Sequence, residues 1–496
     1  MQRRPIQATM SVMFERGGWF DRLDERAGDA LEALLRRHHH RRLRRLGWQD
    51  ALTPVDGGGW WSSRAAIRDG NSMDVFIDGA DGLAEMEKAI RGARHSVHIA
   101  GWHATPDFRL TRGPAATPLR DLLAETAERV PVRLLLWAGP PLPAFQPTRR
   151  AVRRAQQEFL RDSRLRCALD QRERTLHCHH EKIVIVDNDV AFVGGVDMTA
   201  LQGDRYDDPA HGLRAGLGWH DAAVRLRGPA VADVARHFSQ RWREVTAESL
   251  SEPTEPAPTG ELRVQVLRTV PERTYRFAPR GDFTILDAYL EALTVAERYI
   301  YLENQFLWSP EVVDALIDKV QHPPCDDFRV LLLLPAKPSN GADTTRGQLG
   351  RLLNADAGAG RVLATTIVAY EGEKSTPVYV HAKVGIIDDR WLTIGSANLN
   401  EHSLFNDTEM NVSTTDTALA RDTRLRLWAE HTERAIEDLD EDPCATIDKV
   451  WRPTAEDQAR REKTGLPRTH RLTLLADVSR RTHRLEGPVR GMLVDG

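Results

Sequence analysis

One short pattern occurs twice in this chain of 496 residues, with its spacing kept to the residue. The first copy is His180-Glu181-Lys182, four apolar residues, Asp187, six residues, then Gly194-Gly195-Val196-Asp197. The second is His381-Ala382-Lys383, four residues, Asp388, six residues, then Gly395-Ser396-Ala397-Asn398. A repeat this strict implies a duplicated unit, and a period near 200 residues is too long for a solenoid. The apolar run after each Lys suits a strand covered on both faces. Side chains alternate along a strand, so His180 and Lys182 face one way and Glu181 the other.

The residues between the motifs keep the same time in both halves. Val97 precedes His180 by 83 residues and Ile300 precedes His381 by 81. In the first half the pattern predicts strands at Val75–Ile77, Ser96–Trp102, Val132–Trp137 and Ile183–Val186. Helices over Gly82–Ala93, Leu119–Arg129 and Arg149–Leu160 alternate with them. The second half repeats this with helices over Ile285–Ala296, Val312–Val320 and Thr344–Asn354. Its strands fall at Tyr299–Leu302, Val330–Leu334 and Val384–Ile387. The expected fold is α/β: two similar lobes, each a mixed sheet flanked by helices, packed as a pseudo-two-fold pair. Residues 71–245 and 263–440 form the lobes, joined by a Pro/Glu/Ser/Thr-rich linker at 246–262. A helical and loop extension (1–70) precedes them, with Asp50–Asn71 read as loop and its tryptophans as core. A charged extension (441–496) follows, with one strand at Leu472–Leu475.

A formal charge of -4 gives no global attraction to nucleic acid. Four scattered cysteines make no disulfide framework and fit a reducing compartment. No apolar run is long enough to span a bilayer, and Ser11–Phe14 is too short for a secretory core. These features point to a cytoplasmic monomer, able to visit the inner membrane face peripherally. The helix from about Asp21 to Leu46 carries Arg36, Arg37, Arg41, Arg42, Arg44 and Arg45 around three histidines. It reads as a helix packed on the body with a solvated basic face, the alternative being attraction to anionic headgroups.

Bringing the lobes together would converge two imidazoles and two ammonium groups on one spot. Fixed positive charge there suits a phosphate ester. One His can attack phosphorus while the other donates a proton to the leaving alcohol. Two Lys supply the charge that a metal otherwise would, so no metal or cofactor is required. His177 and His179 beside Cys178 lack a second ligand pair at zinc spacing. The catalytic set is therefore His180, Lys182, Asp187, His381, Lys383 and Asp388, its two Asp read as structural more than catalytic. Asp221 and Glu409 are candidate carboxylates for orienting the imidazoles. Gly195, Asp197, Ser396 and Asn398 are candidates for phosphate contact, and Glu303, Asn304 and Gln305 for the pocket wall.

At these residues the chain resembles the phospholipase D superfamily, whose hallmark is two His-x-Lys-x4-Asp motifs, each followed by Gly-Gly or Gly-Ser. The segments Tyr299–Phe306, Trp219-His220-Asp221 and Asn398–Glu401 are similar to the eukaryote-type branch, and the likeness runs from about Asp74 to Glu430. The resemblance implies that His180 is the nucleophile and His381 the acid and base. It also implies that Glu409, 28 residues after His381, orients an imidazole of the second half and Asp221 one of the first. The implied activity is phosphodiester hydrolysis or phosphatidyl transfer on glycerophospholipids through phosphohistidine. The alternatives are a cardiolipin synthase-like transferase, a metal-independent nuclease and a catalytically silent scaffold. No nucleic-acid partner is expected.

Overall fold

The computed structural model describes residues 19–54, 58–141, 146–173, 177–337 and 342–475. Ser11–Phe14 and Gly57 lie outside them. Two mixed sheets dominate, and they have the same strand order. The first runs Arg166–Asp170, Val132–Trp137, Val97–Gly101, Ile183–Val186, Val190–Gly194, Ala222–Arg227 and Ile67–Ile77. The second runs Val362–Glu371, Arg329–Leu333, Tyr299–Glu303, Val384–Ile387, Trp391–Gly395, Glu409–Thr414 and Leu262–Val270. In each, three parallel strands meet an antiparallel hairpin at the motif strand. The sheets join where Ile67–Ile77 pairs with both Ala222–Arg227 and Leu262–Val270.

Each motif strand is apolar on both faces because both faces are covered. In the first lobe Val184 and Val186 pack outward under the helices Gly79–Gly92 and Leu119–Ala127. Ile183 and Ile185 pack inward, into a core shared with Val384 and Ile386 of the second lobe. Two helices, Val231–Thr246 and Thr417–Thr432, help to fill this shared core through Phe238, Trp242, Leu427 and Trp428. The two sheets are therefore opposite walls of one interior.

The motif aspartates shape the turns that follow. Asp187 and Asn188 have φ of 59° and 57°, and Asp388 and Asp389 have 55° and 50°. Two successive left-handed residues make the tight hairpin turn for which Asp and Asn are suited. The Asp187 carboxylate accepts the backbone N–H groups of Arg94, His95 and Ser96 at 2.6–3.1 Å. Asp388 does the same for Glu297, Arg298 and Tyr299 at 2.6–2.8 Å. Both pin the start of the neighbouring parallel strand, and neither joins the two imidazoles.

Two expectations change. Asp50–Asn71 is not loop throughout, since a strand begins at Ile67. Its first residues are half-exposed and pair across a register break, so they show no apolar alternation. Residues 441–475 pack on the second lobe: Trp451 is fully buried and Leu472–Leu474 adds an edge strand against Thr365–Ile367. The N-terminal helix Trp19–Leu46 ends at Gly47, whose φ of 81° suits glycine. It docks on the second lobe through Leu43 and an Arg42–Glu272 ion pair, leaving Arg37, Arg41, Arg44 and Arg45 exposed. Among the described residues no helix is long and apolar enough to cross a membrane.

Candidate active site

At the seam the backbones of the lobes bond directly. The Thr408 carbonyl accepts N–H from His180 (2.9 Å) and Glu181 (3.1 Å). The His220 carbonyl accepts N–H from His381 (2.8 Å) and Ala382 (3.1 Å). This exchange places the two imidazoles opposite one another, ring centroids 6.5 Å apart and planes at 70°. Both residues are buried, with 6% and 4% of their surface exposed.

Each ring is oriented by a carboxylate of the opposite lobe. His180 Nδ1 lies 2.9 Å from Glu409 Oε1, and His381 Nδ1 lies 2.7 Å from Asp221 Oδ2. The pairing expected within each half is thus exchanged. The reason is the seam itself: Thr408 and His220, each one residue before its carboxylate, are bonded to the other lobe's motif. Committing Nδ1 leaves Nε2 of both rings to the small pocket between them. Its wall includes Trp102, Asp197, Gln202, Arg205, Trp219 and Gln305.

The two Lys are buried beside their histidines, and each ammonium donates to the carbonyl of the His two residues earlier. Lys182 Nζ also pairs with Asp197 Oδ2 at 3.3 Å, and Lys383 Nζ with Gln305 Oε1 at 3.2 Å. Asn398 Nδ2 donates to the same Gln305 oxygen at 3.3 Å. Glu181 turns away, as alternation requires, and pairs with His237 at 2.7 Å and with Arg241.

Burial, reinforced by Lys383, Lys182, Arg205 and His180, holds the His381 imidazole well below its usual pKa. Burial pushes the Asp221 carboxyl up to about 6, against the pull of Lys383. Burial also brings the Arg205 guanidinium down to about 10.

Several residues singled out from the sequence do other work. A Cβ on Gly195 would fall 2.1 Å from Asp221 Oδ1, so this glycine makes room for the orienting carboxylate and not for phosphate. At the matching position Ser396 Oγ donates to Glu409 Oε2 at 2.5 Å, and Ser403 Oγ donates to Oε1 at 2.6 Å. Glu303 does not line the pocket. It is fully buried between His220 and His431, at 2.8 Å from each. Asn304 Oδ1 accepts the backbone N–H groups of Phe306 and Leu399, so only Gln305 of that triplet reaches the wall.

Arg205 was not legible beforehand. It lies in an irregular segment, buried to 2% exposure, with its guanidinium 3.4 Å above the Trp219 ring. Trp219 in turn packs on His381 at 4.4 Å between centroids.

Comparison with known proteins agrees with this geometry. Residues 89–218 match the family described as Phospholipase D, and residues 289–428 the one described as Cardiolipin synthase, PLD-like domain. Phospholipase D A of Dictyostelium discoideum is 26% identical over 463 residues, covering 73% of this chain and 36% of that protein. Phospholipase D1 of Schizosaccharomyces pombe is 25% identical over 477 residues, covering 73% and 34%. Phospholipase D alpha 4 of Arabidopsis thaliana is 27% identical over 499 residues, covering 72% and 64%. The chain thus spans from about a third to just under two thirds of these relatives' lengths. The crystal structure of a phosphatidylserine synthase from Haemophilus influenzae Rd KW20 shares the fold, with a TM-score of 0.51 at 12% identity. The likeness covers 81% of this chain and 96% of that one. Two motif-bearing lobes with one strand order, matched half by half, make this chain a member of the phospholipase D superfamily.

Proposed function

We propose that this chain is a phospholipase D-type phosphodiesterase and phosphatidyltransferase acting on glycerophospholipids through a covalent phosphohistidine. The observation that carries the proposal is the facing pair of imidazoles, 6.5 Å apart, each with Nδ1 held by a carboxylate. That gap suits one phosphoryl group.

In the first step Nε2 of neutral His180 attacks phosphorus and the bond to the headgroup oxygen breaks. Protonated His381 gives its proton to the leaving alcohol. In the second step neutral His381 takes a proton from water or another alcohol, whose oxygen attacks phosphorus. The phosphorus–nitrogen bond breaks, releasing phosphatidic acid or a new phosphatidyl ester. Lys182, Lys383 and Arg205 supply fixed positive charge for the developing oxyanion. The negative phosphate also offsets the cations that keep His381 neutral beforehand, so substrate binding prepares the acid. The order of the histidines follows the family resemblance. The names of the matched relatives support the lipid substrate, and a peripheral approach to the bilayer follows from such a substrate.

The test is headgroup release from phospholipid vesicles, with and without a primary alcohol as second acceptor. His180→Asn and His381→Asn are each expected to abolish both release and alcohol transfer. Full activity in either single variant would sink the two-histidine mechanism.

A further inference from the structure

One residue before Asp221, the chain turns His220 into the interior, where it meets Asp78, His211 and Glu430. Nitrogen and oxygen alternate around this group. His220 Nδ1 lies 2.9 Å from Asp78 Oδ1 and 3.0 Å from Glu430 Oε1. His211 Nε2 lies 3.0 Å from the same Glu430 oxygen and 3.5 Å from Asp78 Oδ2. Three of the side chains have no exposed surface, and Glu430 has 3%.

The second nitrogen of each ring is already committed. His211 Nδ1 stands 3.1 Å from Asp207 Oδ2, and His220 Nε2 stands 2.8 Å from Glu303 Oε2. A carboxylate can only accept, so each of these nitrogens carries the N–H. In a neutral imidazole the remaining nitrogen then presents a lone pair. Both lone pairs point at Asp78 and Glu430, which also present lone pairs. Four acceptors facing one another need positive charge among them: two extra protons, one on each ring, or one divalent cation.

We propose that Asp78, His211, His220 and Glu430 bind one divalent cation of the zinc class, which ties the two lobes together. Zinc bonds of 2.0–2.2 Å to nitrogen and oxygen set tetrahedral ligands about 3.3 Å apart, and the contacts here bracket that spacing. Two imidazoles favour zinc over magnesium or calcium. A carboxylate on the outer nitrogen of a ligating His is the usual support for such a site, and both rings have one. Asp78 Oδ2 and Glu430 Oε2 are buried without a hydrogen-bond partner, which leaves acceptor capacity inside the cluster. Two carboxylates and two neutral rings balance a divalent charge.

A second cluster, Asp170, Glu173 and His179, differs in that Arg241 sits 2.8 Å from Asp170 and supplies a permanent cation. Among the described residues no Lys or Arg pairs with Asp78, Glu430 or Glu303. The cation would fix His220, whose carbonyl holds the backbone of His381, and so stiffen the second motif without touching substrate. The proposal is independent of which phosphodiester the pocket accepts.

The full chain, purified without a polyhistidine tag and dialysed, is expected to carry about one zinc per molecule by elemental analysis. Removal with dipicolinate should lower Tm by about 5 °C or more, and added zinc should restore it. X-ray absorption on the wild type should give a nitrogen and oxygen shell with imidazole scattering and no sulfur. His211→Gln should lose the metal, whereas His177→Asn, in a separate group with His402 and Asp407, should keep it. A metal-free wild type whose Tm does not respond to zinc overturns the proposal. So does a sulfur shell, or a metal lost with His177→Asn and kept with His211→Gln.

Discussion

His180 takes its orientation from the other half of the chain: its Nδ1 stands 2.9 Å from Oε1 of Glu409. The reciprocal bond joins His381 to Asp221. Neither lobe by itself holds an oriented imidazole, so lobe packing and site assembly are one event. The Glu409 carboxylate is fixed by Ser396 and Ser403, and it can stabilise the positive charge that the His180 ring takes on when its Nε2 bonds to phosphorus.

Glu409→Gln keeps the shape of that contact and removes the charge. A kcat lower by about 10²–10⁴-fold is expected, with KM within a few-fold of wild type, because the loss falls on charge development and not on substrate binding. Steady-state headgroup release reads both. An unchanged kcat would mean that Glu409 only fills space.

Asp187 belongs to the motif yet bonds three backbone N–H groups away from the pocket. Asp187→Ala should therefore cost stability, about 1–3 kcal/mol in urea unfolding. The kcat per folded molecule should stay within about three-fold, since nothing in the pocket moves. A hundred-fold loss of kcat at unchanged stability would return this residue to the chemistry.

Gly195→Ala addresses the opposite case. Its new methyl group would stand on Asp221 Oδ1, which accepts the Ala222 N–H at 2.8 Å while Oδ2 holds His381. The carboxylate must give way, and His381 loses its orientation. A fall of about 100-fold or more in kcat is expected, with the fold retained by circular dichroism. Wild-type kcat would show that Asp221 can move without consequence.

Much of this was readable from residue order because duplication fixes topology twice. The strands Val132–Trp137 and Ile183–Val186 and the helix Arg149–Leu160 stand where periodicity placed them. The helices Val231–Thr246 and Thr417–Thr432 were not legible. Buried Arg241, His237, Arg424 and His431 sit among their apolar residues, so the inward face carries polar groups that blur a helical stripe. The exchanged carboxylates were hidden for another reason. Spacing along the chain says nothing about which lobe a strand end will face, and only the Thr408 and His220 seam bonds decide it. Glu303 misled because its strand ends there: Gln305 lies beyond the regular alternation and reaches the wall, while Glu303 faces the interior histidines.

Buried neutral histidines make the fold sensitive to acid. His98 stacks on Phe238 at 4.8 Å, accepts from Arg133 at 3.4 Å, and has its pKa lowered to about 4, chiefly by burial. Its folded pKa lies below the unfolded value of 6.5, so its contribution is complete above pH 6.5 and is lost as pH falls toward 4. Across that window the loss is about 3 kcal/mol. His98→Phe should remove it, so the stability difference, variant minus wild type, should grow by about that amount between pH 7.5 and pH 4. Parallel denaturant melts that keep a constant difference would contradict this.

His381 gives the most direct reading of the pocket's electrostatics. Burial first, then Lys383, Lys182, Arg205 and His180, hold its pKa well below the ordinary value, so the ring is neutral in the free protein at neutral pH. A bound dianion cancels part of that positive field and raises the pKa, and the ring takes up a proton. Sulfate, which does not itself titrate near neutrality, isolates the effect. Calorimetric titration with sulfate near pH 6, in buffers of different ionisation enthalpy, should report uptake of up to about one proton per chain. His381→Gln should abolish the uptake while sulfate still binds through the remaining cations. Sulfate binding without proton uptake in the wild type would mean that the field at His381 does not respond to an anion between the rings.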